Sequence, residues 1–143
     1  TWMGYPAASC IQSVTCGQAL IIEANGDIYS CDHYVYPAHR LGNIADTSLV
    51  KLATSRQQQR FGDAKQEKLT QACIRCEVKA LCQGGCPKHR IMALPDEKHK
   101  HNYLCASYKH FFNHTAPLMQ AMCQIIQRGG IAADIMPQLT QPK

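Results

Sequence analysis

Nine cysteines in a chain of 143 residues constrain what this sequence can fold into more than any other feature. Eight of them form a pattern that predicts two metal sites with four thiolates each. One Zn2+ ion or one four-iron cluster binds four thiolates, so eight cysteines suffice for two such centres. The eight cysteines are Cys10, Cys16, Cys31, Cys73, Cys76, Cys82, Cys86 and Cys105.

The spacing of these cysteines favours metal binding. Residues 73–86 follow the pattern Cys-x2-Cys-x5-Cys-x3-Cys, and Cys-x2-Cys lets one tight turn present two sulfurs to one metal. Upstream, Cys16, Gly26 and Cys31 follow the pattern Cys-x9-Gly-x4-Cys. The longer gaps must be closed by the fold. The ninth cysteine, Cys123, is far from the others in sequence, and we interpret it as a small buried apolar residue.

Composition limits the class of protein. Residues 1–15 lack the basic and apolar regions of a signal peptide, and no apolar run reaches the ~18–20 residues that a membrane span needs. This predicts a cytoplasmic, reduced chain with no membrane partner, in which Cys-x2-Cys binds metal rather than forming disulfides. The formal net charge of +5 counts cysteine as neutral. Two four-thiolate sites would remove about four charges, so we predict no nucleic-acid partner.

A β-hairpin is the clearest secondary-structure signal. Two strand-like runs, 19–24 and 27–31, flank Asn25 and Gly26, a pair that tolerates the positive φ angles of a tight turn. The hairpin therefore folds the chain back and brings Cys31 towards the first cysteines.

Short elements are predicted between the hairpin and the cysteine-rich segment. A strand is expected at 41–44, and Ser48 can cap a helix that runs to about residue 55. The polar segment 57–68 favours a helix that is broken at Gly62 and Asp63.

Two C-terminal helices complete the predicted fold. One covers about 103–113, and Pro117 suits the first turn of another that ends near Arg128. We therefore predict an α+β fold, with a small β-hairpin and helices around two four-cysteine metal sites. This domain is expected to cover residues 1–130, followed by a flexible tail at 131–143.

The seven histidines are candidate metal ligands by their chemistry. Because eight cysteines already fill two sites, we assign no histidine to metal. We expect His99 and His101 to be solvated in a charged loop.

The cysteine pattern resembles the SPASM domain, a C-terminal extension of many radical S-adenosylmethionine enzymes. Segments outside the cysteines are similar to the anaerobic sulfatase-maturating enzymes, a family that converts a sulfatase cysteine or serine to formylglycine. The resemblance covers about residues 2–122. The segments that carry it are 25–33, 41–44, 84–88 and 102–105.

The resemblance implies two auxiliary four-iron four-sulfur clusters. By matching position, the ligands of the first cluster are Cys10, Cys16, Cys31 and Cys86. The ligands of the second cluster are Cys73, Cys76, Cys82 and Cys105. The two sets interleave in the sequence, because Cys86 joins the hairpin cysteines and Cys105 takes its place.

The resemblance also implies a catalytic role for Asp32, which directly follows Cys31. In the family, the aspartate at this position is the proposed general base. A carboxylate beside a cluster can take the substrate proton while the metal centre accepts an electron. From its local sequence alone, Asp32 is better explained as a loop or capping aspartate, and only the resemblance favours catalysis.

The radical-generating motif of the family, Cys-x3-Cys-x2-Cys, does not occur in this chain. S-adenosylmethionine is therefore expected to act only through an N-terminal radical domain in cis, and this chain alone is expected to be inactive. A start at Thr1 rather than methionine fits a segment cut from a longer enzyme. The implied protein partner is an unfolded or nascent sulfatase polypeptide.

Other classes of protein use similar cysteine spacings. A non-catalytic zinc module for structure or interaction is the main alternative, and zinc is also the metal expected to replace iron after aerobic preparation. A free ferredoxin-like electron carrier is another alternative. The compact Cys-x2-Cys-x2-Cys-x3-Cys-Pro run of that class does not occur in this chain. A radical enzyme that modifies another peptide would share the cysteines but not the sulfatase-type segments.

Overall fold

Two small antiparallel sheets and several helices make up the computed structural model, which describes residues 1–139. This confirms the predicted α+β class. The α-helices are α1 (Leu49–Ala53), α2 (Arg56–Glu67), α3 (Gln71–Ile74), α4 (Lys79–Cys82), α5 (Cys105–Gln127) and α6 (Met136–Leu139). Single 3-10 turns cover Asp32–Tyr34, Pro37–His39, Pro87–His89 and Ala132–Ile135.

The first sheet contains the predicted hairpin. Strands β1 (Ile21–Ile22), β2 (Asp27–Tyr29) and β3 (Arg40–Asn43) pair antiparallel in that order. Gly26 has a φ of +83°, which a residue without a Cβ adopts at little cost in the turn. Ile28 is fully buried between its neighbours, so the sheet has one face in the core.

Charged and polar side chains fix the register of this sheet. Arg40 forms an ion pair with Asp27 at 2.6 Å, and Asn43 Nδ2 donates to the same carboxylate at 3.0 Å. These hydrogen bonds lower the pKa of Asp27 to about 2. Asp27 is the first residue of β2, so these contacts tie the start of that strand to β3.

Helix α2 is continuous, so the predicted break at Gly62 is wrong. Gly62 is buried, and a Cβ at this position would lie 2.7 Å from the carbonyl oxygen of Cys16. The Cys16 amide also donates to the Gly62 carbonyl at 3.2 Å. The glycine therefore permits a close backbone contact with the segment that carries Cys16 and does not end the helix.

The C-terminal region contains one long helix, so the prediction of two helices is wrong. Helix α5 has 23 residues and includes Pro117 in its interior. The preceding turn is supported by Thr115, whose hydroxyl donates to the Phe111 carbonyl at 2.8 Å. Phe112 is buried, which anchors the helix on the rest of the chain. Packing along the whole helix therefore outweighs the helix-breaking tendency of proline.

The segment expected to be a flexible tail contains helical structure as far as it is described. The 3-10 turn Ala132–Ile135 packs on α5, and only 2% of the Ile135 surface is exposed. Helix α6 follows this turn. Flexibility stays a prediction, and residues 140–143 of the expected tail lie outside the described part of the chain.

A second sheet was not predicted from the sequence. Strands β4 (Arg90–Met92) and β5 (His101–Asn102) pair antiparallel. The charged loop at 93–100 connects them. His101 and Asn102 are buried, with 8% and 2% of their surface exposed. The expectation that His101 is solvated is therefore wrong.

Candidate metal centre

Four cysteines surround one cavity of about 110 Å³. They are contributed by α3, the turn after it, the end of α4 and the first residue of α5. These cysteines are Cys73, Cys76, Cys82 and Cys105. The structure thus brings together the four residues that the resemblance assigns to the second cluster.

Local sequence explains how the first two of these thiols are presented. Thr70 caps α3, because its hydroxyl accepts a hydrogen bond from the Cys73 amide at 3.2 Å. The Cys76 amide then donates to the Cys73 carbonyl, which closes a tight turn. Both sulfurs are therefore held by a single capped turn.

A left-handed backbone segment separates Cys86 from its neighbours in sequence. Gln83, Gly84 and Gly85 have φ angles of 50°, 71° and 62°. A Cβ on Gly84 would lie 2.4 Å from Leu69, so the chain passes too close to its surroundings for another residue. These turns carry Cys86 away from the 110 Å³ cavity, and Cys86 does not line it.

The cysteines of the other set influence one another through their charges. Burial raises the pKa of the Cys16 thiol, Lys65 opposes this effect, and the charges of Cys86 and Cys10 raise the pKa further. The pKa of Cys31 rises to about 12, chiefly through burial and its hydrogen bond to Asp32. Cys86 therefore influences both Cys16 and Cys31, and Cys10 influences Cys16, which is consistent with the predicted first set.

Lys65 is a feature of this site that the sequence analysis missed. Only 1% of its surface is exposed, and its ammonium group donates to the carbonyl oxygens of Cys10 at 2.8 Å and Ile11 at 2.9 Å, and also to Ser13. Lys65 therefore ties the N-terminal segment to α2 and puts a positive charge beside the first set. Its sequence neighbours are polar helix residues, so no local pattern distinguishes it.

Two histidines contact cysteine sulfurs, which was also not predicted. His101 Nδ1 lies 3.6 Å from Cys73 Sγ and 2.9 Å from the Thr70 hydroxyl. His33 Nδ1 lies 3.5 Å from Cys86 Sγ. Each set of thiols therefore has one imidazole within hydrogen-bonding distance of a sulfur, the kind of contact that orients and tunes metal ligands.

Asp32 lies at the edge of the first set and is exposed to solvent. Its Oδ1 accepts hydrogen bonds from the Cys31 thiol at 3.1 Å and from the His33 amide at 2.9 Å. The hydrogen bond from Cys31 is the main cause of the lowered pKa of Asp32. Cys31, Asp32 and His33 also bring their ligand atoms within 4.8 Å of one another.

Cys123 lies outside both sets. It is half-buried on α5 and not fully buried as expected. Its partial exposure follows from the position of α5, much of whose surface faces solvent.

No helix within residues 1–139 is long and apolar enough to cross a bilayer.

Comparison with known proteins relates part of the chain to an iron–sulfur cluster-binding domain. Residues 10–77 match the family model of SPASM, an iron–sulfur cluster-binding domain. This part of the chain is therefore similar to the SPASM class of iron–sulfur domains.

Over nearly its whole length the chain is similar to anaerobic sulfatase-maturating enzymes, which confirms the resemblance. It is 39% identical over 138 residues to the serine-type anaerobic sulfatase-maturating enzyme of Bacteroides thetaiotaomicron, covering 96% of this chain and 33% of that protein. It is 34% identical over 111 residues to the cysteine-type enzyme of Clostridium perfringens, covering 78% of this chain and 30% of that protein.

Solved structures show the same similarity. The structure of native anSMEcpe with bound AdoMet and Kp18Cys peptide superposes with a TM-score of 0.70 at 32% identity, covering 82% of this chain and 32% of that chain. The structure of native anSMEcpe with bound AdoMet alone gives a TM-score of 0.69 with the same identity and coverage. The chain therefore spans about a third of the length of the relatives it matches.

Proposed function

We propose that this chain is the auxiliary iron–sulfur domain of a radical S-adenosylmethionine enzyme that oxidises a sulfatase cysteine or serine to formylglycine. The observation that carries the proposal is the cavity of about 110 Å³ that is lined by the thiols of Cys73, Cys76, Cys82 and Cys105. Similarity to sulfatase-maturating enzymes supports the reaction and the substrate.

The donor atoms suit two four-iron four-sulfur clusters. All eight are cysteine sulfurs, which is the usual ligand set of such clusters. The first cluster would be held by Cys10, Cys16, Cys31 and Cys86. The second would be held by Cys73, Cys76, Cys82 and Cys105. The raised pKa of the buried thiols means that cluster assembly must release protons.

Asp32 is the residue of this chain that we assign to proton transfer. When bound, the clusters would accept an electron from the substrate. The Asp32 carboxylate is exposed and held by the His33 amide through Oδ1, so Oδ2 can take the substrate proton. The thiol hydrogen bond that now lowers its pKa would disappear once Cys31 binds iron as a thiolate, and the added negative charge would strengthen the base.

The remaining functions belong to parts of the enzyme outside this chain. We assign S-adenosylmethionine cleavage to an N-terminal radical domain in cis and expect this chain alone to be inactive. The substrate would be an unfolded or nascent sulfatase polypeptide in the cytoplasm. The peptide-bound and AdoMet-bound forms of anSMEcpe support these assignments by similarity.

Metal stoichiometry tests the proposal directly. Anaerobic reconstitution of this chain with iron and sulfide should load about eight irons per chain if two cubes form. Iron and sulfide assays, with the visible absorption of the clusters, measure this. Two tightly bound zinc ions and no iron after the same treatment would contradict the proposal and favour a zinc module.

A further inference from the structure

A second, larger cavity of about 620 Å³ is strongly basic. It lies between α2, the segment at 30–39 and the loop at 98–100. As far as the structure describes it, its lining contains six of the whole chain's fifteen lysines and arginines but no aspartate, glutamate or cysteine. The six basic residues are Arg60, Lys65, Lys68, Arg90, Lys98 and Lys100.

Two of these cations are held in place by the protein itself. Lys65 is bound to three carbonyl oxygens, as described above. Arg90 donates through Nη1 to the Lys65 carbonyl at 2.7 Å and through Nε to the Gly84 carbonyl at 3.3 Å. Both cations also interact with the thiols of Cys16 and Cys86, so the positive potential that they add to the cavity falls when those thiols become thiolates.

The other four cations have no carboxylate partner. In the described part of the chain, the ion pairs are Arg40 with Asp27 and Lys109 with Glu77. The four cations free of such pairing are Arg60, Lys68, Lys98 and Lys100. The resulting field acts on His39 in the cavity wall, whose pKa is lowered by burial first and then by Lys68 and Lys88.

An aromatic cluster forms one wall of the cavity. The rings of Tyr34, His39 and Phe61 meet edge to face, with centroid distances of 4.8, 5.2 and 5.5 Å. Such packing holds the wall in a defined shape. The volume of the cavity falls in the range of about 300–1,000 Å³ that is usual for small-molecule sites.

We infer that this cavity binds a small oligoanion, a molecule that carries two or more phosphate or carboxylate groups. A concave wall lined by cations without acidic partners concentrates anions, and lysine and arginine form charge-assisted hydrogen bonds to phosphate and carboxylate oxygens. The cavity lining contains no cysteine of either set, and the inference rests on the four cations that have no carboxylate partner.

Calorimetric titration of the full-length protein with pyrophosphate and, separately, with citrate tests the inference at low and high salt. We expect saturable binding of at least one of them that weakens as salt rises. The anion that binds more tightly shows whether phosphate or carboxylate is the preferred group. Lys98→Glu and Lys68→Glu should each weaken binding at least tenfold, since each reverses one cavity charge.

Lys51→Glu is the matched control, because it makes the same charge change on the exposed α1 outside the cavity. It should leave the affinity within twofold of the unmutated protein. An equal loss in Lys51→Glu would mean that net charge alone attracts the anion, and the inference would be wrong. The inference would also be wrong if neither anion binds the full-length protein. In that case another segment would cover the cavity.

Discussion

Individual side chains join parts of this molecule that are distant in sequence. Lys65 connects α2 to the Cys10 segment through three carbonyl oxygens, and Arg90 connects β4 to the end of α2. Lys65 is buried and Arg90 is half-buried, and both act on thiols whose metal-bound form is negatively charged. At the scale of the residue, these two cations therefore place positive charge beside the first set of cysteines.

Replacing Lys65 with methionine should destabilise the protein. The change keeps an apolar side chain of similar length but leaves buried carbonyl oxygens without their charged donor, so the free energy of unfolding should fall by about 2–4 kcal/mol. Urea unfolding under anaerobic conditions measures this. Arg60→Met, on the exposed side of the same helix, should change it by less than about 0.5 kcal/mol. Equal effects would contradict the role of Lys65.

Replacing Asp32 with asparagine should separate chemistry from structure. The change is nearly isosteric and should keep both clusters, but it removes the basic carboxylate. In the full-length enzyme, formylglycine production should fall by roughly 10²–10⁴-fold, as is usual for a lost general base. Cleavage of S-adenosylmethionine should largely survive. Formylglycine production at the unmutated rate would show that Asp32 is a structural residue.

At the scale of the element, tertiary packing determines where the helices begin and end. Helix α2 continues through Gly62 because the backbone of Cys16 packs against it. Helix α5 continues through Pro117 because Phe112 on one side and the Ile135 turn on the other anchor it. Glycine and proline are therefore tolerated here through contacts that no local pattern contains.

Replacing Pro117 with alanine should stabilise α5. Proline lacks the N–H that would bond to the carbonyl one turn earlier, and alanine restores this donor with a better helix propensity. We expect the free energy of unfolding to rise by about 1–2 kcal/mol, measured by urea unfolding. Gln120→Ala, at an exposed position one turn later, is the control and should have little effect. A loss of stability would mean that a proline kink is required for packing.

At the scale of the whole molecule, the two sets of thiols share one scaffold but occupy separate places. Helices α3, α4 and α5 supply the second set, whereas the hairpin, the N-terminal segment and Cys86 supply the first. The left-handed turn at residues 83–85 is the point where the chain passes from one set to the other. This arrangement predicts that one site can be lost without the other.

Replacing Cys76 with serine should test that independence. The variant should lose one cluster, so the iron content after anaerobic reconstitution should fall from about eight to about four per chain. Electron paramagnetic resonance of the reduced protein should still show the remaining cluster. Cys123→Ser, outside both sets, should keep the full iron content. Loss of both clusters in Cys76→Ser would mean that the two sites fold as one unit.

Local chemistry made part of this structure predictable from the sequence. The hairpin at Asn25-Gly26 and the cap at Ser48 each depend on residues only a few positions apart, and both occur in the structure. The α+β class was likewise predictable from the pattern, whereas the role of the eight cysteines as metal ligands stays a prediction. The division of those cysteines into two sets came from the family resemblance, because spacing alone does not say which distant thiols meet.

Only the tertiary structure decided which distant groups come into contact. The burial of His101 beside Cys73, the three hydrogen bonds of Lys65 and the basic cavity each join segments far apart in the chain. Such contacts leave no periodicity or turn signal in the sequence, since they depend on how the whole chain packs. The sequence by itself therefore determined the thiols and the turns that present them, whereas the charges and imidazoles around those thiols were determined by the fold.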